Sequence, residues 1–172
     1  MPHDYQSLSI RIGITMSNFV YGYIATSNKS ALLDEIRSIM SNQTLGFIVD
    51  SPEHLYNFPT SQLPQSDDVL VFNICDSKNA NTASILLESL DFVVDTGNGL
   101  LREARDRRKL LLNLISGIFK LKQVEKIYVA LTEIEEIEAV VTISLTEFIE
   151  AIANNYDGPP NILYIIEKGT GL

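Results

Sequence analysis

Residues 126–167 read KIYVALTEIEEIEAVVTISLTEFIEAIANNYDGPPNILYIIE. Three short runs, KIYVALT (126–132), EAVVTIS (138–144) and NILYIIE (161–167), are rich in β-branched, aromatic and aliphatic residues, the composition of half-buried or buried strands. Ser144-Leu145-Thr146-Glu147 has the spacing of a capping box and predicts a helix over residues 146–154. Asn154-Asn155-Tyr156-Asp157-Gly158-Pro159-Pro160 then reads as a helix stop and loop. The glutamates between the first two runs read as the end of a hairpin, where side chains project into solvent. The unit is strand, strand, helix, strand.

The same order appears at the other end of the chain. Leu8, Ile10, Ile12, Ile14 and Met16 alternate with polar or small residues, the period of a half-buried strand. FVYGYIAT (19–26) follows after Ser17-Asn18, so the two runs read as a hairpin. Ser27 or Asn28 can cap a helix through about Asn42 that places Leu32, Leu33, Ile36, Ile39 and Met40 on one face. LGFIVD (45–50) is a short strand. At a constant offset Ile10, Ile12 and Ile14 match Ile127, Val129 and Leu131, Ser27 matches Ser144, and FIVD (47–50) matches YIIE (164–167). An internal duplication of 10–50 and 127–167, or convergence on the few patterns a ββαβ unit permits, would produce this agreement.

Between the two units, Pro52, Pro59 and Pro64 interrupt residues 51–68, which read as a long loop without regular structure. Strand VLVFNI (69–74), a helix near 81–90 and strand DFVVD (91–95) come next. The glycine turn TGNG (96–99) then leads into the longest helix, about 100–119, with Leu101, Ala104, Arg108, Leu111, Ile115 and Ile118 at helical spacing. The expected fold class is α/β, with α+β as the alternative. It comprises a mixed sheet of about 6–8 strands and about four helices, built from ββαβ-like units at both ends of one globular domain over 1–172.

Composition narrows the functional classes. With 45% hydrophobic and 20% charged residues, the chain has the make-up of a globular protein that buries a core, not of a disordered one. Its start, MPHDYQSLSI, has no basic n-region or apolar h-region, and no apolar stretch approaches the roughly 20 residues that span a bilayer. Cys75 is the only cysteine, so an intramolecular disulfide is impossible, and it reads as a small core residue. A cytoplasmic location without membrane attachment is expected. The net charge of −9 opposes non-specific nucleic-acid binding, which relies on Lys and Arg at phosphates.

No motif for catalysis or a cofactor stands out. Asp95-Thr96-Gly97 after Phe92-Val93-Val94 looks like an aspartic-protease signature, but those enzymes need two such carboxylates and only one is present. The TGNG turn could present N–H groups to an anion, yet it lacks the glycine spacing of a phosphate-binding fingerprint. His3 and His54 have no partner at metal-ligand spacing, and His54 reads as a solvated loop side chain. No Gly-x-Ser-x-Gly elbow occurs. Catalytic residues, metal and cofactor are therefore expected to be none.

Charge distribution is more informative. From Ile127 to Glu167 there is no Lys or Arg, while Glu133, Glu135, Glu136, Glu138, Glu147, Glu150, Asp157 and Glu167 fall there. Positive charge gathers at Arg102, Arg105, Arg107, Arg108, Lys109, Lys120, Lys122 and Lys126. Simple solubility favours mixed signs. An acidic face suits a basic protein, because clustered carboxylates steer encounter and oppose wrong partners. Glu133, Glu135, Glu136, Glu138, Tyr156 and Asp157 are the candidate partner-binding residues, with Tyr128 and Tyr164 as further aromatics of the same segment that can anchor an interface or enter the core. Internal pairing of the basic helix with acidic neighbours would also account for the segregation.

The glutamate turn LTEIEEIEAV (131–140), the last quarter without basic residues and the lack of catalytic motifs resemble in character the small acidic immunity proteins of bacterial toxin systems, including those of contact-dependent growth inhibition. The resemblance implies a cytoplasmic, non-enzymatic protein that neutralises a cognate basic toxin, often a nuclease, by covering its active site. It carries no individual residue across. The alternatives are a small enzyme using a carboxylate-bound divalent cation and a structural or adaptor subunit.

Overall fold

The computed structural model describes residues 19–75, 100–132, 136–154 and 160–169. The predicted strands at 8–16 and 91–95, the helix near 81–90, the Asp-Thr-Gly sequence and the TGNG turn lie outside the described residues. The described chain forms six strands: β1 (Phe19–Thr26), β2 (Gly46–Val49), β3 (Val69–Cys75), β4 (Val124–Thr132), β5 (Ala139–Ile143) and β6 (Ile162–Glu167). Three α-helices accompany them: α1 (Lys29–Met40), α2 (Leu100–Phe119) and α3 (Leu145–Ala153). None of these helices is long and apolar enough to cross a membrane.

The strands make one mixed sheet in the order β2-β3-β1-β4-β6-β5, so the fold is α/β. Every neighbouring pair is antiparallel except β5 and β6, which α3 joins as a parallel crossover. This order corrects the hairpin expected at the glutamates. β6 lies between β4 and β5, so the connection from β4 to β5 passes across one strand instead of turning back on its neighbour. β3 likewise separates β1 from β2.

Period-two alternation sorts side chains between two faces. Val20, Ile24, Leu70, Phe72, Ile74, Ile127, Val129, Leu131, Tyr164 and Ile166 point to the helical side, where they pack with Leu32 and Ile36 of α1, Leu111, Leu114, Ile115 and Ile118 of α2, and Phe148 and Ile152 of α3. The opposite face carries Tyr21, Tyr23, Val69, Val71, Ala130 and Leu163, covered by Leu55 and Phe58 of the proline-containing segment. Gly22 lies between β3 and β4. A Cβ built there would come within 1.8 Å of the Tyr128 carbonyl oxygen, so only glycine allows β1 and β4 to approach this closely.

Helix ends follow local chemistry. Asn28 caps α1 through its side-chain oxygen, which accepts the Ala31 N–H at 3.1 Å. In α2 the predicted stripe from Arg108 through Leu111, Ile115 and Ile118 is buried, including the charged Arg108 at 4% exposure. The 51–68 segment is more ordered than its prolines suggested. Pro52–Leu55 and Thr60–Gln62 are short 3₁₀ helices. Pro52 starts the first because a first-turn residue needs no N–H partner within the helix.

Candidate functional site

The acidic segment resumes at Glu136, Ile137 and Glu138. Ile137 is half-buried against the loop-side cluster, while Glu136 and Glu138 on either side of it are exposed. The Glu138 N–H donates to the Asn161 carbonyl at 2.8 Å, tying the entry of β5 to that of β6. Asn161 has φ 55, a left-handed conformation that asparagine tolerates better than most residues. Within β5, Val141 and Ile143 turn toward the helical core, whereas Ala139, Val140 and Thr142 are exposed. β5 is an edge strand among the described residues.

α3 starts immediately after β5 with the predicted capping box. Ser144 Oγ accepts the Glu147 N–H at 3.2 Å, and the Glu147 carboxylate accepts the Ser144 N–H at 2.7 Å. Donation from the Ser144 backbone N–H, and secondarily the Ser144 side chain, holds the Glu147 carboxyl below its ordinary pKa. Phe148 and Ile152, four residues apart, bury one stripe of α3 and leave Glu147 and Glu150 exposed. No ion pair among the described residues involves Glu136, Glu138, Glu147 or Glu150.

Of the six partner-binding candidates, Glu136 and Glu138 sit together at the entry of β5. Glu133, Glu135, Tyr156 and Asp157 lie outside the described residues. Leu131 of β4 and Ala139 of β5 both register with Ile162 of β6, so the described ends flanking both segments meet at one end of the sheet. Other members of the acidic quarter have different roles. Glu167 accepts a hydrogen bond from Lys126 Nζ at 2.6 Å, and that bond raises the Lys126 pKa. It is therefore not part of an uncompensated negative face. Tyr164 is buried with its ring 5.2 Å from Phe148, and Tyr128 stacks on Tyr23 at 4.2 Å on the opposite face. Neither tyrosine is exposed beside the glutamates.

Sequence reading missed a polar cluster at the start of the 51–68 segment. The Asp50 carboxylate, with its side chain only 6% exposed, accepts hydrogen bonds from Asn73 and from the Ser51 N–H and pairs with His54 Nδ1. Its one signal in the sequence is an acid four residues before a histidine across Ser51-Pro52. The cluster fastens the loop to β3, and His54 remains exposed on its other side. Between residues 61–68 and the β1/β4 surface lies an open cleft of about 350 Å³ lined by Tyr23, Ser61, Gln65, Asp68, Glu125 and Tyr128 among others. Its polar lining consists of Ser, Thr and Tyr hydroxyls, the Gln65 amide and the Asp68 and Glu125 carboxylates, without His, Cys, Lys or Arg. Among the described residues, no three His, Cys, Asp or Glu side chains converge to hold a metal ion.

Comparison of the chain with protein families, with curated proteins and with solved structures returns no match.

Proposed function

We propose that this chain is a non-enzymatic binding module for a basic protein, and that its partner is a toxin domain, nuclease-like in charge, whose active site it covers. The observation that carries the reading is the exposed edge formed by β5 and α3. Glu136 and Glu138 are exposed at the entry of β5 and Glu147 and Glu150 are exposed on α3, with no Lys or Arg in the sequence from 127 to 167. Separated charge of this kind speeds encounter with an oppositely charged surface and penalises like-charged competitors. Of these four, Glu147 is also used to cap α3, which leaves Glu136, Glu138 and Glu150 for a partner.

The test is co-purification of the partner from the native operon, followed by association kinetics in rising salt. The association rate should fall steeply with ionic strength. Reversing charge at Glu136 and Glu138 should lower it by roughly tenfold at low salt, with a much smaller change in dissociation. Both side chains are exposed, so the variants keep the fold. An association rate unaffected by both salt and charge reversal would sink the reading.

A further inference from the structure

The geometry points to β5 as a strand-docking edge that receives an extended, basic segment of the partner protein alongside Ala139–Ile143. This inference rests on the acidic-binder reading and specifies how binding occurs. Because the Glu138 N–H is directed to Asn161 of the β6 entry, backbone alternation directs Val140 and Thr142 toward β6. The N–H and C=O groups of Ala139, Val141 and Ile143 then face away from the sheet. Ala139 and Val140 are exposed, Val140 at 39%, so the surface beside these groups is open to solvent.

Edge strands are ordinarily blunted by lysine, proline, a bulge or short length. β5 contains no lysine or proline, and its pairing with β6 has no register shift. The opposite edge among the described residues, β2, has four residues, begins at Gly46 and runs within a few residues into Pro52. Among the described residues, what flanks β5 is negative charge: Glu136 and Glu138 before it, Glu147 and Glu150 after it. Such flanking charge rejects acidic strands and attracts basic ones.

The same charge argues against a second copy of this chain. Parallel pairing of two β5 strands would bring Glu138 against Glu138, and antiparallel pairing would bring Glu138 toward the start of the other α3, where Glu147 lies. Like charges opposed across strands are destabilising. Glu138, Val140 and Thr142 share one face by alternation, so the complementary strand places Lys or Arg opposite Glu138 and a β-branched residue beside Val140. Backbone hydrogen bonds supply the attachment and the side chains supply its sign.

The experiment uses the whole chain and a synthetic peptide of repeating Lys-Ser-Val-Ser, which sets lysine and valine on one face of a strand, with residue-resolved amide hydrogen exchange as the readout. A glutamate-for-lysine peptide and an N-methylated lysine peptide serve as controls. Without peptide, Val140 and Thr142 should be protected and Ala139, Val141 and Ile143 should exchange rapidly. The lysine peptide should slow exchange at those three by at least about tenfold, while both controls leave it unchanged. Ala139→Pro removes one outward N–H at an exposed position. It should abolish the peptide-induced protection of Val141 and Ile143 while Val140 and Thr142 stay protected. Peptide binding without the alternating protection overturns the docking edge, even if the charge-dependent association above is observed. Equal protection by the glutamate peptide, or protection of the three amides that rises with protein concentration alone, overturns the basic occupant. A partner association insensitive to charge, alongside intact protection by the lysine peptide, locates the failure in the broader reading instead.

Discussion

The two faces of the sheet are buried by different means. On the helical face, regular elements already satisfy their backbone internally, so the interface consists mainly of aliphatic side chains with Phe72, Phe119, Phe148 and Tyr164. On the other face, the described cover is the 51–68 segment, whose short 3₁₀ turns satisfy only part of its backbone internally. There the sheet presents tyrosines. Tyr23 donates its hydroxyl to the Gln62 carbonyl at 2.7 Å, and Tyr21 accepts from the Asn57 side chain. Phe58 rests on both rings, with centroids 5.7 Å from Tyr21 and 6.1 Å from Tyr23. Where helices cover a sheet, apolar volume suffices. Where a loop covers it, the sheet must also complete the loop's hydrogen bonds.

The comparison is broken most severely on the helical face. Phe72→Ala, at a side chain 1% exposed beneath the helices, should cost about 3–5 kcal/mol of global stability in urea unfolding. Phe58→Ala removes the same ring from the loop side and should lower global stability by less than half as much, because the segment can open locally without unfolding the sheet. Its signature is rapid proteolysis within 51–68 with a urea midpoint shifted less than half as far as in Phe72→Ala. If Phe58→Ala matches Phe72→Ala in the urea midpoint, the two faces form one cooperative unit and the distinction fails.

Tyr23→Phe isolates the hydrogen-bonding role of the loop-side face and should cost about 1 kcal/mol by leaving the Gln62 carbonyl without its donor. Burial, followed by the neighbouring Tyr128, raises the Tyr23 pKa well above the ordinary tyrosine value. The unfolded chain therefore ionises first. The stability linked to this hydroxyl is intact below about pH 10 and is lost as pH rises above it. Alkaline unfolding should be less steep in Tyr23→Phe, with a remainder from Tyr164, whose pKa burial also raises.

The smallest effect is expected at the cap of α3. Ser144→Ala should cost about 1 kcal/mol near neutral pH. The Glu147 carboxyl is held below its ordinary pKa, so its contribution to the cap is present above the usual carboxylate range and lost as pH falls through it. Ser144→Ala keeps the backbone N–H that contributes most to this shift, so thermal scans should show it below the parent at every pH. Glu147→Gln should instead converge with the parent as pH falls below the ordinary carboxylate range.

Several features were legible because they depend on near neighbours in the chain. The capping box at Ser144, the strand runs at 19–26, 69–74 and 161–167, and the stripe through Leu111, Ile115 and Ile118 all rest on spacings of two, three or four residues. The glutamate turn was less legible. Consecutive strand patterns around a polar turn usually signify a hairpin, but nothing local reveals that a later strand will occupy the space between them. The candidate edge was legible in its charge, through Glu136 and Glu138, but not in its open backbone, because edge position is a property of the whole sheet. The Asp50–Asn73–His54 cluster escaped notice because Asp50 and Asn73 are distant in sequence and meet through β2 and β3 pairing.

The amino-acid sequence by itself determined the nature of the elements, their caps and the separation of negative from positive charge, since each is set by residue type and short-range spacing. Only the tertiary structure decided strand order, placing β6 between β4 and β5 and leaving β5 at the edge among the described strands. It also decided that Tyr128 and Tyr164 belong to opposite faces and that Glu167 meets Lys126. Alternating runs are compatible with many sheet orders. The choice among them comes from burying both faces at once, a condition that involves residues far apart in the chain.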